Sequence, residues 1–298
     1  MKKILAFIFL FATVTTFAQK TDTHLQNEIS NLLKGFNGDV GVYVYDLSKN
    51  KIAEVNADTI FPTASMVKVP IFIGLMHKIH NGELSYHQDM LFTDSVRYSE
   101  GQEILASFKD SQKVALNDLV MLMMSMSDNG ASLWMQGLAG GGTQINKYMD
   151  SLGMKYTRVN SRTAGRKENY NEYGWGQTTP REMATLMKMI VENKIIDKQI
   201  SDRMLRMMSR QFWDEDAISQ IPPNIFVADK SGAVDATRDE VLYVNGKHPY
   251  IFCICTKNNK DTSWEHDNEA WVLTRKLSAL LWKYFNPKSD WKPSEFLK

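Results

Sequence analysis

Three short polar clusters carry side chains that could act together in chemistry. Ser65-Met66-Val67-Lys68 opens the first long helical pattern, Ser127-Asp128-Asn129 lies between two more helices, and Lys230-Ser231-Gly232 closes a short apolar strand. A serine in a helix's first turn sits among free N–H groups at the positive end of the dipole, which favours a developing alkoxide or oxyanion. Lys68 falls on the same face three residues on. A lysine buried there is pushed towards its neutral amine, and a neutral amine can take the proton of a serine hydroxyl. Ser127 could pass a proton to a leaving group, and Asn129 could hold a substrate amide. Lys230 offers a cation for a carboxylate, Ser231 a hydroxyl donor, and Gly232 a place where backbone can approach closely. Singly, each cluster also reads as ordinary structure: a helix start with a solvated lysine, a cap, a turn.

The elements that must position these groups are visible as patterns. Residues 23–33 have a helical apolar period, 40–45 alternate as a strand, and 52–55 complete a hairpin. Residues 62–205 are mostly helical, with helices expected at 65–80, 116–126, 131–138, 143–152 and 180–192. The last begins with Thr179 as cap, Pro180 at the first helical position and Glu182 after it. The run Met121-Leu122-Met123-Met124 reads as a buried core helix. Strands return at 226–229, 241–244 and 250–256, and a helix over 268–285 ends the chain. The expected fold class is therefore α+β, an α/β sandwich. Its antiparallel sheet of about five strands is flanked by N- and C-terminal helices, and an all-helical domain is inserted. Residues 19–60 and 209–298 would form the discontinuous sheet domain and 61–208 the helical domain, with the active site in the cleft between them.

Composition narrows the partners. Apolar residues make up 43% of the 298 residues and charged residues 23%, a globular balance. Lys and Arg number 35 against 34 Asp and Glu, a net charge of +1 that argues against nucleic-acid or anionic-membrane binding. Residues 1–18 read as a secretory signal peptide: Lys2 and Lys3, an apolar run over 4–17, then Thr16-Phe17-Ala18. The expectation is export to the periplasm or medium, with no stable membrane insertion after cleavage and a monomeric state. Cys253 and Cys255, two apart on one strand, read as core thiols, without disulfide geometry or zinc spacing. His77 and His80 read as packing or surface groups, so neither metal nor cofactor is expected.

Taken together and in this order, the three clusters resemble those of the serine β-lactamase and penicillin-binding protein superfamily, and most closely class A β-lactamases. Ala228-Asp229-Lys230-Ser231-Gly232-Ala233 is similar to the family's segment there, and the likeness spans about residues 24–285. It implies that Ser65 is the acylated nucleophile, Lys68 its proton acceptor, Ser127 the proton shuttle and Asn129 a ligand of the substrate amide. Lys230 and Ser231 would bind the substrate carboxylate, and the N–H groups of Ser65 and Ala233, beside Gly232, would form the oxyanion hole. Arg238 would be a second carboxylate ligand and Tyr98 a cleft-edge aromatic. Class A enzymes also use a loop glutamate to activate the deacylating water. Counting from Arg158 without gaps puts Thr163 at that place, while Arg166-Lys167-Glu168 offers the local pattern five residues later, with Asn171 and Glu172 following. Either Glu168 reaches the water, or no carboxylate does and the acyl-enzyme turns over slowly or by another route. The function implied is hydrolysis of a β-lactam amide. The alternatives are a D-Ala-D-Ala peptidase acting on a peptidoglycan-like substrate, another amide or ester hydrolase, and a β-lactam-binding or sensing protein.

Overall fold

The computed structural model describes residues 19–97 and 103–293, so the expected signal peptide and Tyr98 lie outside the described residues. The chain opens with β1 (Lys20–Thr21) and α1 (Thr23–Leu32), followed by the hairpin β2 (Asp39–Asp46) and β3 (Lys51–Val55). Asp22 caps α1 by accepting from Leu25 N, and α1 buries Leu25 and Ile29. The strand β4 (Phe61–Pro62) leads into a tight 3-10 turn, Ala64–Val67, and then α2 (Lys68–His80). The short pair β5 (Asp89–Leu91) and β6 (Lys113–Ala115) precedes α3 (Leu116–Ser125), α4 (Asn129–Leu138) and α5 (Gly141–Ser151). Next come β7 (Arg158–Val159), α6 (Lys167–Tyr173), β8 (Gly176–Thr178), α7 (Pro180–Val191) and α8 (Lys198–Met208). The chain closes with β9 (Phe226–Val234), β10 (Thr237–Asn245), β11 (Tyr250–Lys257) and α9 (Glu269–Phe285).

The main sheet has six strands in the order β1-β3-β2-β11-β10-β9, all antiparallel except the parallel β1–β3 pair. The strand beyond the expected five is β1, whose two residues are too short to show a period. Side chains of β11 separate strictly by face, as strand geometry requires. Tyr250, Phe252 and Ile254 join Leu25, Ile29, Leu277 and Leu281 in the core under α1 and α9. Ile251, Cys253 and Cys255 face the helical elements, joining Phe72, Met123, Met124 and Met187 in the second core. Both cysteines are free and buried, their sulfurs 3.7 Å apart. Met123 and Met124 are fully buried as the apolar run suggested, whereas Met121 turns outward. Among the described residues no helix is long and apolar enough to cross a membrane.

Three differences from the sequence reading matter for the site. Ser65 lies in the tight turn before α2, not in its first turn. The strand β9 runs through Lys230-Ser231-Gly232 instead of ending there, because each of these residues pairs with β10: Lys230 with Val241, Ser231 with Glu240, Gly232 with Asp239. Tertiary pairing overrides their weak strand propensity. The helices α6 and α8 were not anticipated.

The α9 side of the sheet depends on close packing. Leu277→Ala removes a fully buried side chain and should cost about 3 kcal/mol of stability. Denaturant unfolding checks this, and a loss under 1 kcal/mol would contradict the packing described.

Candidate active site

The turn that carries Ser65 is built under strain. Ala64 has a positive φ of 40°, a conformation side chains other than glycine rarely adopt. Met66 N donates to Thr63 O at 2.8 Å and closes the turn. The strand β9 lies directly against it. A methyl group on Gly232 would stand 2.6 Å from Thr63 O and 2.9 Å from Ser65 N, so only glycine allows this approach. Ser65, Gly232 and Ala233 consequently line one cavity.

Lys68 emerges from α2 directly behind Ser65 and is fully buried. Its Nζ lies 2.8 Å from Ser65 Oγ, 3.0 Å from Ser127 Oγ, 2.6 Å from Ser127 O and 2.9 Å from Asn129 Oδ1. Burial drives its pKa well below the ordinary lysine value, and the Lys230 charge pushes the same way against weaker pulls from Asp128 and Glu103. Of the four oxygens around the amine, the Ser127 carbonyl and Asn129 Oδ1 can only accept, while the two serine hydroxyls can accept or donate.

Ser127 reaches Lys68 because its backbone is also left-handed, with φ of 58°. Asp128 holds that turn. One carboxylate oxygen caps α4 by accepting from Ala131 N at 2.8 Å, and the other accepts from Leu105 N at 2.9 Å. This is the structural part expected of Asp128, and it aims Asn129 at Lys68.

Lys230, on β9, is fully buried and donates to Ser231 O at 2.8 Å. Burial lowers its pKa to about 8, while Asp229 and Glu240 oppose the shift. Behind it lies a set of carboxyls that the motifs did not reveal. Burial raises Asp229 to about 7 despite Lys230, and raises Glu240 well above the carboxylate range, helped by the Asp229 charge. Asp216 rises to about 6 by burial, against the pull of Arg275, whose Nη1 is 3.2 Å from Asp216 Oδ1. Glu240 and Arg275 left one trace in the sequence: a charge inside an apolar strand or helix face.

The cavity beside Ser65 has a volume of about 380 Å³ and extends past Ser127 and Ser231 to Trp213, Glu215, Asp216, Trp264, His266, Trp271 and Arg275. A second recess, about 800 Å³, opens on the other side of Ser65 between Asn129, residues 170–175 and residues 233–237. The serine therefore stands between two hollows.

Two candidate residues take other positions. Arg238 is 1% exposed and lines neither hollow. Its guanidinium donates to the carbonyls of Asp235, Thr237 and Ser263 at 2.8, 2.8 and 2.9 Å, and lies 4.6 Å from the rings of Trp264 and Trp271. It braces the cavity wall from behind, and Arg275 is the arginine on that wall. Glu168 sits exposed on α6 and also lines neither hollow. Glu172 and Asn171 line the second recess, where Glu172 accepts from the Tyr173 hydroxyl and helps push that phenol up to about 12. Arg166 holds the loop from within, donating to Asn160 Oδ1 at 2.8 Å and Gln177 Oε1 at 2.7 Å. Thr163 Oγ1 donates to Ser161 O at 2.9 Å. Among the described residues no carboxylate hydrogen-bonds to Ser65 or Lys68. His77 stacks on Tyr148, His80 pairs with Asp197, and the described residues hold no group of ligands suited to a metal.

The chain belongs to the β-lactamase enzyme family, whose sequence profile matches residues 24–285. It is 23% identical to β-lactamase VEB-1 of Pseudomonas aeruginosa, over 95% of this chain and 97% of that one. Its fold is that of class A β-lactamases and their neighbours. The solved structure of PBP-A aligns with a TM-score of 0.79 and 22% identity, covering 90% of this chain and 98% of that chain. A point mutant of PBP-A, solved as an acyl-enzyme complex with penicillin G, aligns with the same score, identity and coverage.

The carboxyls behind Lys230 set a pH dependence. The folded chain holds a proton on Asp229, raised to about 7, that an unfolded carboxyl near 3.8 has released. The stabilisation is complete below the unfolded value and is lost as pH rises through 7. Asp229→Asn should remove it, so that from pH 4 to 8 the variant loses up to about 4 kcal/mol less stability than the parent. Parallel pH curves would contradict the buried proton.

Proposed function

We propose that this protein is an exported serine hydrolase that opens β-lactam amides through an acyl-enzyme on Ser65, and that deacylation is its slow step. The observation that carries the reading is the desolvated Lys68 amine, 2.8 Å from Ser65 Oγ and 3.0 Å from Ser127 Oγ. Lys68 takes the Ser65 proton as Oγ bonds to the lactam carbonyl carbon. The N–H groups of Ser65 and Ala233, brought together by Gly232, hold the oxyanion. The proton returns through Ser127 to the lactam nitrogen as the C–N bond breaks, leaving an ester on Ser65. Lys230 and Ser231 hold the substrate carboxylate, and Asn129 holds the acyl-side amide.

The loop supports the slow second step. Neither Glu168 nor Glu172 hydrogen-bonds to Ser65 or Lys68, although Glu172 lines the same recess as Ser65, and Arg166 ties the loop's base to neutral amides. That placement also favours a second reading with the same first step, in which the acyl donor is a D-alanyl amide of a peptidoglycan-like peptide. Release of D-alanine from such a peptide, with poor lactam turnover, selects it.

Intact-mass spectra with penicillin G test the common step. The parent chain should gain one penicilloyl adduct that persists for minutes or longer, and Ser65→Ala should gain none. Lys68→Ala should acylate at least about 100-fold more slowly. Absence of any adduct on the parent chain rejects the proposal.

The same spectra test the loop. Glu168→Gln should leave the adduct's lifetime within twofold of the parent's. A tenfold longer lifetime would instead give Glu168 the deacylating role.

A further inference from the structure

If Ser65 acylates as proposed, the cavity past Ser127 and Ser231 receives the half of the substrate that carries the lactam nitrogen. Arg275 lines it near Ser231, and the buried Lys230 lies behind Ser231 on β9. Its outer end is different: two tryptophans and Glu215. Trp213 and Trp264 are 54% and 64% exposed, yet both are anchored. Trp213 Nε1 donates to Met126 O at 3.2 Å, and the ring stands edge-on to Phe212 at 5.0 Å. Trp264 stands edge-on to Trp271 at 5.7 Å, with Arg238 against it. Rings fixed in water lose little freedom when a ligand stacks on them.

Charge decides which ligand. Arg275 is committed to Asp216 at 3.2 Å and to His266 O at 2.6 Å. Glu215 is exposed and has no ion-pair partner among the described residues. The outer end thus presents one uncompensated carboxylate beside aromatic faces, which attract a soft cation. A sugar or a neutral ring would gain stacking but nothing from Glu215.

We propose that this outer recess is a subsite for a positively charged substituent on the leaving-group half of the substrate, an ammonium or pyridinium held by Trp213 and Trp264 against Glu215. With the carboxylate held by Lys230 and Ser231 as proposed, the favoured substrate is zwitterionic on its nitrogen-bearing half, its carboxylate near Ser231 and its cation near Glu215.

Two cephalosporins with the same thienylacetyl arm, one bearing a 3′-pyridinium and one a 3′-acetoxy group, isolate this feature. The readout is the second-order acylation constant from intact-mass time courses, counting adducts with or without the 3′ group. Intrinsic reactivity cancels in the pyridinium-to-acetoxy ratio compared between parent and variant. Glu215→Gln should lower that ratio about fivefold, as expected for one partly exposed charge pair. Glu215→Asp should keep it within twofold, and raising salt should shrink the parent's ratio towards the variant's. A fall of less than twofold in Glu215→Gln overturns the subsite while leaving acylation intact. A parent chain that neither compound acylates overturns both this subsite and the Ser65 reading.

Discussion

The site depends on keeping one amine dry. Lys68 is fully buried and has no carboxylate bonded to it among the described residues, only oxygens of Ser65, Ser127 and Asn129. In that setting the proton is cheaper elsewhere, and the amine becomes a base. Everything around it maintains this condition. The helix α2 carries Val69, Ile71, Phe72 and Ile73 into the core and so fixes the lysine's root. Asp128 stays out of reach of the amine because both its oxygens serve backbone N–H groups. Strain at Ala64 and Ser127 is tolerated because the packing on each side over-determines those turns.

A second lysine lies within the same electrostatic field, and the two solutions differ. Lys230 is equally buried, but Asp229 and Glu240 behind it oppose the effect of burial, which lowers it only to about 8. Burial in turn raises Asp216 to about 6, Asp229 to about 7 and Glu240 well above the carboxylate range. Lys230, at about 8, keeps its charge at neutral pH, while burial and the Lys230 charge lower Lys68 well below the ordinary lysine value. One cavity thus holds a base and a fixed cation of the same residue type, separated by the company each keeps.

Legibility in the sequence followed range. Ser65 and Lys68 are joined by one turn of chain, and Ser127, Asp128 and Asn129 are adjacent, so spacing and family likeness sufficed to pick them out. The α9 helix and β11 announced themselves because long apolar periods map directly onto buried faces. Glu240 and Arg275 were not legible, since each reaches the site through sheet register or helix docking that no local pattern encodes. Arg238 carried the right charge at the right strand end, yet three carbonyls and two indole rings claim it. The five-residue span of loop acids, from Glu168 to Glu172, could not be resolved without the path of α6.

The loop also separates two demands that one site must meet. Acylation needs groups that do not move, and here they hang from α2, the turn before α4, and β9, all locked into the sheet and its helical cover. Deacylation needs a water held and polarised on the opposite face of the ester. The segment facing that side is a short helix with no buried residue, tethered through Arg166 to Asn160 and Gln177. An arginine serving neutral amides leaves its charge uncompensated, so a carboxylate drawn towards Ser65 would have a competing partner at the loop's base. In this architecture the groups proposed for acylation are built into the core, and those facing the other side of Ser65 rest on an arginine-held loop.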